Sequence, residues 1–175
     1  MLAIIIPFYK LTFFEATLQS LAHQSDKRFK VYIGDDASPE DCTTLLQKFE
    51  GKFYFIYHRF ETNLGGTSLT QQWERCIALS NNEEWLMVLG DDDVLDNNVV
   101  EEFYKLIEKN TFDISLIRFN HRVIDERIDF ASVIAGRILI CEFKQKITII
   151  FHFVVDVLQC IAHKICFHYA VCLYF

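Results

Sequence analysis

The chain has 175 residues, of which 51% are hydrophobic and 23% are charged, and its formal net charge is −7. This length suffices for one domain with a sizeable core, and the composition is typical of a globular protein. The negative charge argues against a nucleic-acid partner bound through its phosphates. A phosphorylated small ligand remains compatible with it, since a bound divalent cation supplies positive charge locally.

The cysteines and the N-terminus indicate the compartment. The six cysteines form no CxxC pair, and no basic region or cleavage site accompanies the first apolar run, Leu2 to Ile6. A reduced, cytoplasmic chain is therefore predicted.

The composition changes near Phe130. Of the 24 acidic residues, 22 precede it. The last segment, from Ile147 to Phe175, is nearly long enough to span a bilayer, but Asp156 and Lys164 interrupt it. No uncharged stretch approaches the roughly 20 residues that a membrane span needs. A buried or poorly folding tail is favoured over a transmembrane helix.

Apolar runs alternate with amphipathic segments along the first 120 residues. Thr12 with Glu15 has the spacing of a capping box, and Ser38 before Pro39 predicts the N-cap of a second helix. Strands that alternate with helices predict right-handed crossovers and the α/β class, with a mostly parallel sheet flanked by helices. The predicted strands are 2–6, 29–33, 53–57, 85–89 and 113–119, and the predicted helices are 12–22, 38–49, 68–79 and 98–109.

Carboxylates follow two of these predicted strands. Asp35 and Asp36 end the second strand, and Asp91, Asp92 and Asp93 end the fourth. Both groups should open on the same edge of a parallel sheet, where ligands bind in open α/β folds. Adjacent carboxylates repel one another unless a cation is shared, and hard oxygen ligands suit Mg²⁺ or Mn²⁺. For the three aspartates taken alone, the alternative is a solvated turn after a strand.

Four segments within the first 93 residues form a set of motifs. They are Ile4-Ile5-Ile6-Pro7-Phe8-Tyr9, Val31-Tyr32-Ile33-Gly34-Asp35-Asp36-Ala37-Ser38, Asn63-Leu64-Gly65-Gly66 and Glu84-Trp85-Leu86-Met87-Val88-Leu89-Gly90-Asp91-Asp92-Asp93. Together these segments resemble the N-terminal, nucleotide-binding part of a family 2 glycosyltransferase with a GT-A fold. The resemblance covers residues 1–120, as a Rossmann-like nucleotide-sugar-binding domain, and leaves 121–175 as an ill-defined hydrophobic segment. A response-regulator receiver would need its acidic pair after the first strand, where this chain has Pro7-Phe8-Tyr9.

The resemblance implies a role for each matching position. Pro7 and Tyr9 would line the nucleobase and ribose, and Asp36 would hydrogen-bond the base, with Asp35 supporting the loop. Asp91 would face the ribose and phosphates. The metal, Mn²⁺ or Mg²⁺, would be held mainly by Asp92, and Asp93 matches a common additional acid whose role stays open. The implied reaction is a metal-dependent, inverting transfer from a nucleotide-diphosphate sugar to a glycan or lipid-linked acceptor.

The sequence departs from this pattern after the metal motif. Family members carry an acidic catalytic base on the acceptor side, and beyond Asp129 the only carboxylates are Glu142 and Asp156. Neither is assigned as the base, and the catalytic residues stay unknown. A non-catalytic remnant that binds a nucleotide sugar at most is the alternative. The resemblance implies a cytoplasmic location, and peripheral association with the inner face of the membrane stays open.

Overall fold

The computed structural model describes residues 1–81, 83–109, 116–120, 123–125, 128–132 and 137–142. These ranges contain a six-stranded sheet, a separate two-stranded hairpin and four helices. The strands are β1 (Leu2–Phe8), β2 (Phe29–Asp35), β3 (Phe55–Arg59), β4 (Trp85–Val88), β5 (Leu116–Asn120), β6 (Val123–Asp125), β7 (Ile128–Ser132) and β8 (Arg137–Glu142). The helices are α1 (Phe14–Ala22), α2 (Thr43–Gln47), α3 (Leu69–Ile77) and α4 (Val99–Lys109).

The large sheet is mostly parallel, and its strand order is β3-β2-β1-β4-β8-β5. Strand β1 lies between β2 and β4 and is parallel to both, and β3 is parallel to β2. Strand β8 runs antiparallel to β4 and to β5. The prediction of an α/β fold with a mostly parallel sheet flanked by helices is confirmed.

The side chains of β1 alternate between the two faces of the sheet, and they are buried on both faces. Leu2, Ile4, Ile6 and Phe8 join the larger core, to which α1, α2 and α4 contribute. On the opposite face, Ala3 and Ile5 join a smaller cluster that includes Cys76 of α3. A strand buried on both faces requires a continuous apolar run, which is the pattern that the sequence shows here.

The first strand extends further than predicted, through Pro7 to Phe8. The Phe8 carbonyl points toward β2, where it accepts the N–H of Asp36. Backbone polar groups of successive strand residues point in opposite directions, so those of Pro7 point toward β4. Strand β4 pairs with β1 only as far as Ile5 opposite Val88. The missing N–H of Pro7 therefore costs no ladder hydrogen bond, and the proline does not end the strand.

Two predicted helix caps are wrong. Helix α1 begins at Phe14, and its N-cap Phe13 makes no side-chain cap hydrogen bond, so Thr12 and Glu15 form no capping box. Helix α2 is only five residues long and begins at Thr43, not after Ser38. Ser38 instead makes its hydrogen bonds within the loops at the end of the sheet. Helix α3 begins close to the predicted position, and its N-cap Ser68 accepts the N–H of Gln71 at 3.4 Å.

Strand β8 lies in the segment for which no pattern was predicted, and it pairs with β4. The domain boundary at residue 120 stays a prediction. The segment from Ile147 to Phe175, with Asp156, lies outside the described residues. The longest helix in the described ranges, α4, has 11 residues, and no helix there is long and apolar enough to cross a bilayer.

Gly34 gives a test of the packing between β2 and α3. A Cβ at position 34 would lie 2.3 Å from the Sγ of Cys76. Gly34→Ala should therefore lower the free energy of unfolding by about 1–3 kcal/mol, measured by urea denaturation. Cys76→Ala in the same chain removes the sulfur and should recover part of this loss. Strictly additive losses in the double variant would contradict the proposed steric contact.

Candidate functional site

The carboxyl ends of β1, β2 and β4 lie side by side, because these three strands are adjacent and parallel. Their ends carry the residues singled out in the sequence. Pro7 is the penultimate residue of β1 and Tyr9 follows the strand, where it is 38% exposed. Asp35 ends β2, and Asp91 lies three residues beyond β4.

Asp91 connects the end of β4 to the loop after β1. Its Oδ2 accepts the backbone N–H groups of Tyr9 and Lys10, both at 2.8 Å. The Asp91 carbonyl accepts the hydroxyl of Thr17 at 3.1 Å. Burial raises the pKa of the Asp91 carboxyl above its ordinary value, and the charge of Asp92 adds to this, while the two N–H groups oppose it.

The loop after β1 is also held from the β2 side. The Ser38 hydroxyl donates to the Tyr9 carbonyl at 2.6 Å. Glu40 accepts the N–H of Leu11 at 2.9 Å. Hydrogen bonds from two different strand ends thus fix the backbone of residues 9–11.

Asp35 is fully buried and its partners surround it. Its Oδ1 accepts the N–H of Ser38 at 2.8 Å, and its Oδ2 accepts the Tyr57 hydroxyl at 2.5 Å and Nη1 of Arg59 at 2.7 Å. Burial and the adjacent carboxylate raise the pKa of the Tyr57 hydroxyl, which keeps it a donor. Asp35 thus connects the loop at Ser38 to Tyr57 and Arg59 of β3.

Asp36 is only 4% exposed, and it binds the loop between β3 and α3. Its Oδ1 accepts the N–H of Leu64 at 2.7 Å and pairs with Arg75, and its Oδ2 accepts the N–H of Gly65 at 2.9 Å. A Cβ at position 65 would lie 2.6 Å from Oδ2, so glycine permits this close approach. A carboxylate has about four acceptor positions, and these three bonds leave Oδ2 able to accept one more.

Asp92 and Asp93 converge above Gly90. A Cβ built on Gly90 would lie 2.9 Å from Oδ1 of Asp92 and 2.7 Å from Oδ2 of Asp93. The latter oxygen also accepts the N–H of Gly90 at 3.1 Å. Asp92 is exposed, and no hydrogen bond from the described residues reaches its carboxylate.

The donor set of this pair is compatible with a divalent cation. In the described part of the chain, no group of three or more Asp, Glu, His or Cys side chains could hold a metal. Mg²⁺ in phosphate sites is usually bound by one or two carboxylates, with substrate phosphates and water completing its shell. Asp92 and Asp93 fit this arrangement, which depends on a phosphorylated ligand.

A pocket of about 410 Å³ opens beside the acidic pair of β2. Arg59 and Arg75 lie in its wall, each bonded to one of the two aspartates behind it. The Arg75 guanidinium lies 3.9 Å from the centre of the Phe60 ring. The pocket is lined by His58, Arg59, Phe60, Glu61, Thr62 and Arg75.

Neither arginine was predicted from the sequence as a site residue. A usable signal existed, because two adjacent buried carboxylates require nearby donors or cations. Arg59 ends β3, the strand beside β2, and its spacing of two from Tyr57 places both on one face. Arg75 is three residues from Gln72 on α3, and its Nε donates to Gln72 Oε1 at 2.5 Å.

Comparisons with known proteins identify the family. The model of "Glycosyl transferase family 2" matches residues 3–159. Poly(ribitol-phosphate) beta-N-acetylglucosaminyltransferase TarS of Staphylococcus aureus is 26% identical over 120 residues, which is 66% of this chain and 20% of that protein. An uncharacterized glycosyltransferase of Haemophilus influenzae is 32% identical over 111 residues, which is 63% of this chain and 35% of that protein.

Solved structures show the same fold. The crystal structure of S. aureus TarS 1–349 in complex with UDP-GlcNAc superposes with a TM-score of 0.56 at 22% identity, covering 62% of this chain and 31% of that one. This chain thus spans between a fifth and about a third of the length of the curated relatives described here. The match to the family model extends over most of the chain. The chain therefore belongs to glycosyl transferase family 2 and has its GT-A fold.

Proposed function

We propose that this chain is a glycosyltransferase that binds a nucleotide-diphosphate sugar at the carboxyl edge of the sheet. The observation that carries this proposal is the placement of Asp36 and of Asp91 to Asp93 at the ends of strands that flank β1. One acidic group suits a nucleobase and the other a metal-bound diphosphate. The TarS complex with UDP-GlcNAc makes that nucleotide sugar the first donor to test.

The base would bind near Asp36. The remaining acceptor position on Oδ2 suits a ring N–H of a nucleobase, and the lack of a Cβ at Gly65 lets the backbone N–H of that residue bind the same oxygen. Pro7 and Tyr9 lie at the end of β1, the strand beside β2, and this position suits contact with the base and ribose. Asp35 is already bonded to three donors and would keep the loop in place.

The diphosphate would bind near Asp92 and Asp93. Asp92 is the principal metal ligand in this proposal because its carboxylate is exposed, and Asp93 converges with it above Gly90. A bound Mn²⁺ or Mg²⁺ supplies a Lewis acid that stabilises the negative charge developing on the leaving phosphate. These two carboxylates would hold and orient that ion.

Asp91 has two parts in the proposal. Its Oδ2 positions the loop that carries Tyr9, by accepting the two backbone N–H groups. In the described residues no hydrogen bond reaches its Oδ1, which would face the ribose and phosphates. The end of β4 would thus connect the metal ligands to the loop that contacts the base.

The transfer would invert the anomeric centre by direct displacement, with an acceptor hydroxyl as nucleophile. A glycan or a lipid-linked sugar on the cytoplasmic side of a membrane is the proposed acceptor. The proton of that hydroxyl needs a general base, and no described residue is assigned to this role.

Asp92→Asn tests the metal assignment. The neutral amide is a poor ligand for Mn²⁺, so the affinity for UDP in the presence of Mn²⁺ should fall by about tenfold or more, while the thermal unfolding midpoint stays unchanged. Calorimetric titration with and without Mn²⁺ measures this effect. Glu50→Gln, a matched change at an exposed acid beyond α2, should have no effect. Unaltered metal dependence in Asp92→Asn would show that the assignment is wrong.

Asp36→Asn tests the proposed base contact. One carboxylate oxygen becomes an NH₂ donor, so the site loses an acceptor for either the base or the loop. The affinity for UDP should fall by about tenfold, as expected for a hydrogen bond to a charged group. The affinity for pyrophosphate, measured in the same buffer with Mn²⁺, should change by less than about twofold. Equal losses for both ligands would argue against a contact with the base.

Asp91→Asn tests the positioning role. Its amide oxygen can still accept both N–H groups, whereas Asp91→Ala cannot and should cost about 1 kcal/mol of unfolding free energy. The raised carboxyl pKa means that the wild type loses stability as pH rises through that value, and asparagine does not titrate. Urea denaturation should therefore show that the free energy of unfolding of Asp91→Asn increases relative to that of the wild type as the pH rises from 3.8 to neutrality. A constant difference across this range would contradict the account.

A further inference from the structure

Polar side chains on one face of α1 contact the loop between β4 and α4. Thr17, Ser20 and Gln24 share this face because they are three and four residues apart, and Gln24 lies just beyond the end of the helix. All three are buried, with exposed fractions of 0%, 6% and 3%. Buried polar groups need hydrogen-bond partners, and these three side chains find them in residues 91–100.

The first two side chains bind the loop close to its carboxylates. The Thr17 hydroxyl donates to the backbone carbonyl of Asp91 at 3.1 Å. The Ser20 hydroxyl oxygen accepts the N–H of Leu95, also at 3.1 Å. These two contacts lie on either side of the proposed metal ligands, so the backbone that carries those ligands is bonded to α1 both before and after them.

Gln24 binds the end of the same loop. Its Nε2 donates to the Asp96 carbonyl at 2.7 Å, and its Oε1 accepts the N–H of Val100 at 3.1 Å. Val100 is the second residue of α4, where a backbone N–H has no acceptor within its own helix. The amide of Gln24 therefore fixes both the end of the loop and the start of the next helix.

This support matters because the metal ligands carry a cost of their own. Two neighbouring carboxylates repel each other, and the Asp92 side chain is exposed, with no hydrogen bond from the described residues to its carboxylate. Ordering such groups when an ion binds lowers the affinity for that ion. A loop whose backbone is already fixed needs less ordering, which is how residues behind the ligands of a metal site raise its affinity.

We propose that Thr17, Ser20 and Gln24 are positioning residues for the metal site. They act through the loop backbone and hold Asp92 and Asp93 in the geometry that binds the ion. This inference rests on the proposed metal-dependent binding of a nucleotide sugar. The new element is that the buried polar face of α1 sets the affinity for the metal.

Thr17→Val tests the contact nearest to the metal ligands. Valine keeps the branched shape of threonine but lacks the hydroxyl, so the Asp91 carbonyl loses this donor. The Mn²⁺ concentration that gives half-maximal binding of UDP, measured calorimetrically on the full chain, should rise by about threefold to tenfold. Thr17→Ser retains a hydroxyl and should stay within about twofold of the wild type.

Tyr32→Phe is the matched control for a loss of stability alone. It removes a buried hydrogen bond, from the Tyr32 hydroxyl to Glu83 at 2.9 Å, on the opposite face of the sheet. The half-maximal Mn²⁺ concentration should stay at the wild-type value. A folded Thr17→Val with the wild-type value, or an equal shift in Tyr32→Phe, would overturn the inference and leave the donor site standing. No binding of UDP with Mn²⁺ by the folded wild-type chain would overturn the proposed function together with the inference.

Hydrogen exchange of the wild-type chain gives a test that needs no variant. The amides of Leu95 and Val100 donate to Ser20 and Gln24, so they should be protected from exchange before any ligand is added. Exchange at the rate of an unstructured chain, with protection that appears only after UDP and Mn²⁺ are added, would show that α1 does not hold the loop in advance.

Discussion

Carboxylates that accept backbone N–H groups hold together the loops at the carboxyl edge of this sheet. Asp91 accepts the N–H groups of Tyr9 and Lys10, and Asp36 accepts those of Leu64 and Gly65. Loops leave such donors unpaired unless a side chain or water satisfies them, and a charged acceptor makes the stronger bond. The same acids that would bind the donor in the proposed function therefore also fix the loops around them.

The degree to which each carboxylate is already bonded divides these acids into roles. Asp35 is fully buried with three donors, whereas Asp36 and Asp91 keep acceptor capacity after binding their loops. Asp92 is the opposite case to Asp35, because its side chain is exposed to solvent. A ligand would then meet preorganised acceptors whose geometry is fixed beforehand, which lowers the cost of ordering them on binding.

The parallel sheet and the position of the acidic groups could be predicted from the sequence, because buried parallel strands need continuous apolar runs and end at one edge. The ends of elements were less predictable. Serine is a common N-cap residue, yet the Ser38 hydroxyl donates to the carbonyl of Tyr9, which lies 29 residues earlier in the chain. The contact of Arg75 was not predicted either. Its pairing with Asp36 depends on how α3 packs against the sheet, which local spacing does not determine.

The most direct test of the central claim is nuclear magnetic resonance of the full chain with UDP-GlcNAc and Mn²⁺, whose unpaired electrons broaden nearby amide signals. Broadening is expected for the loop at Gly90 and for Tyr9 and Lys10, which share the carboxyl edge. Amides at the opposite ends of β1 and β2, at Leu2 and Phe29, should keep sharp signals. Broadening centred on any other surface, or spectra that the nucleotide sugar leaves unchanged, would contradict a donor site at this edge.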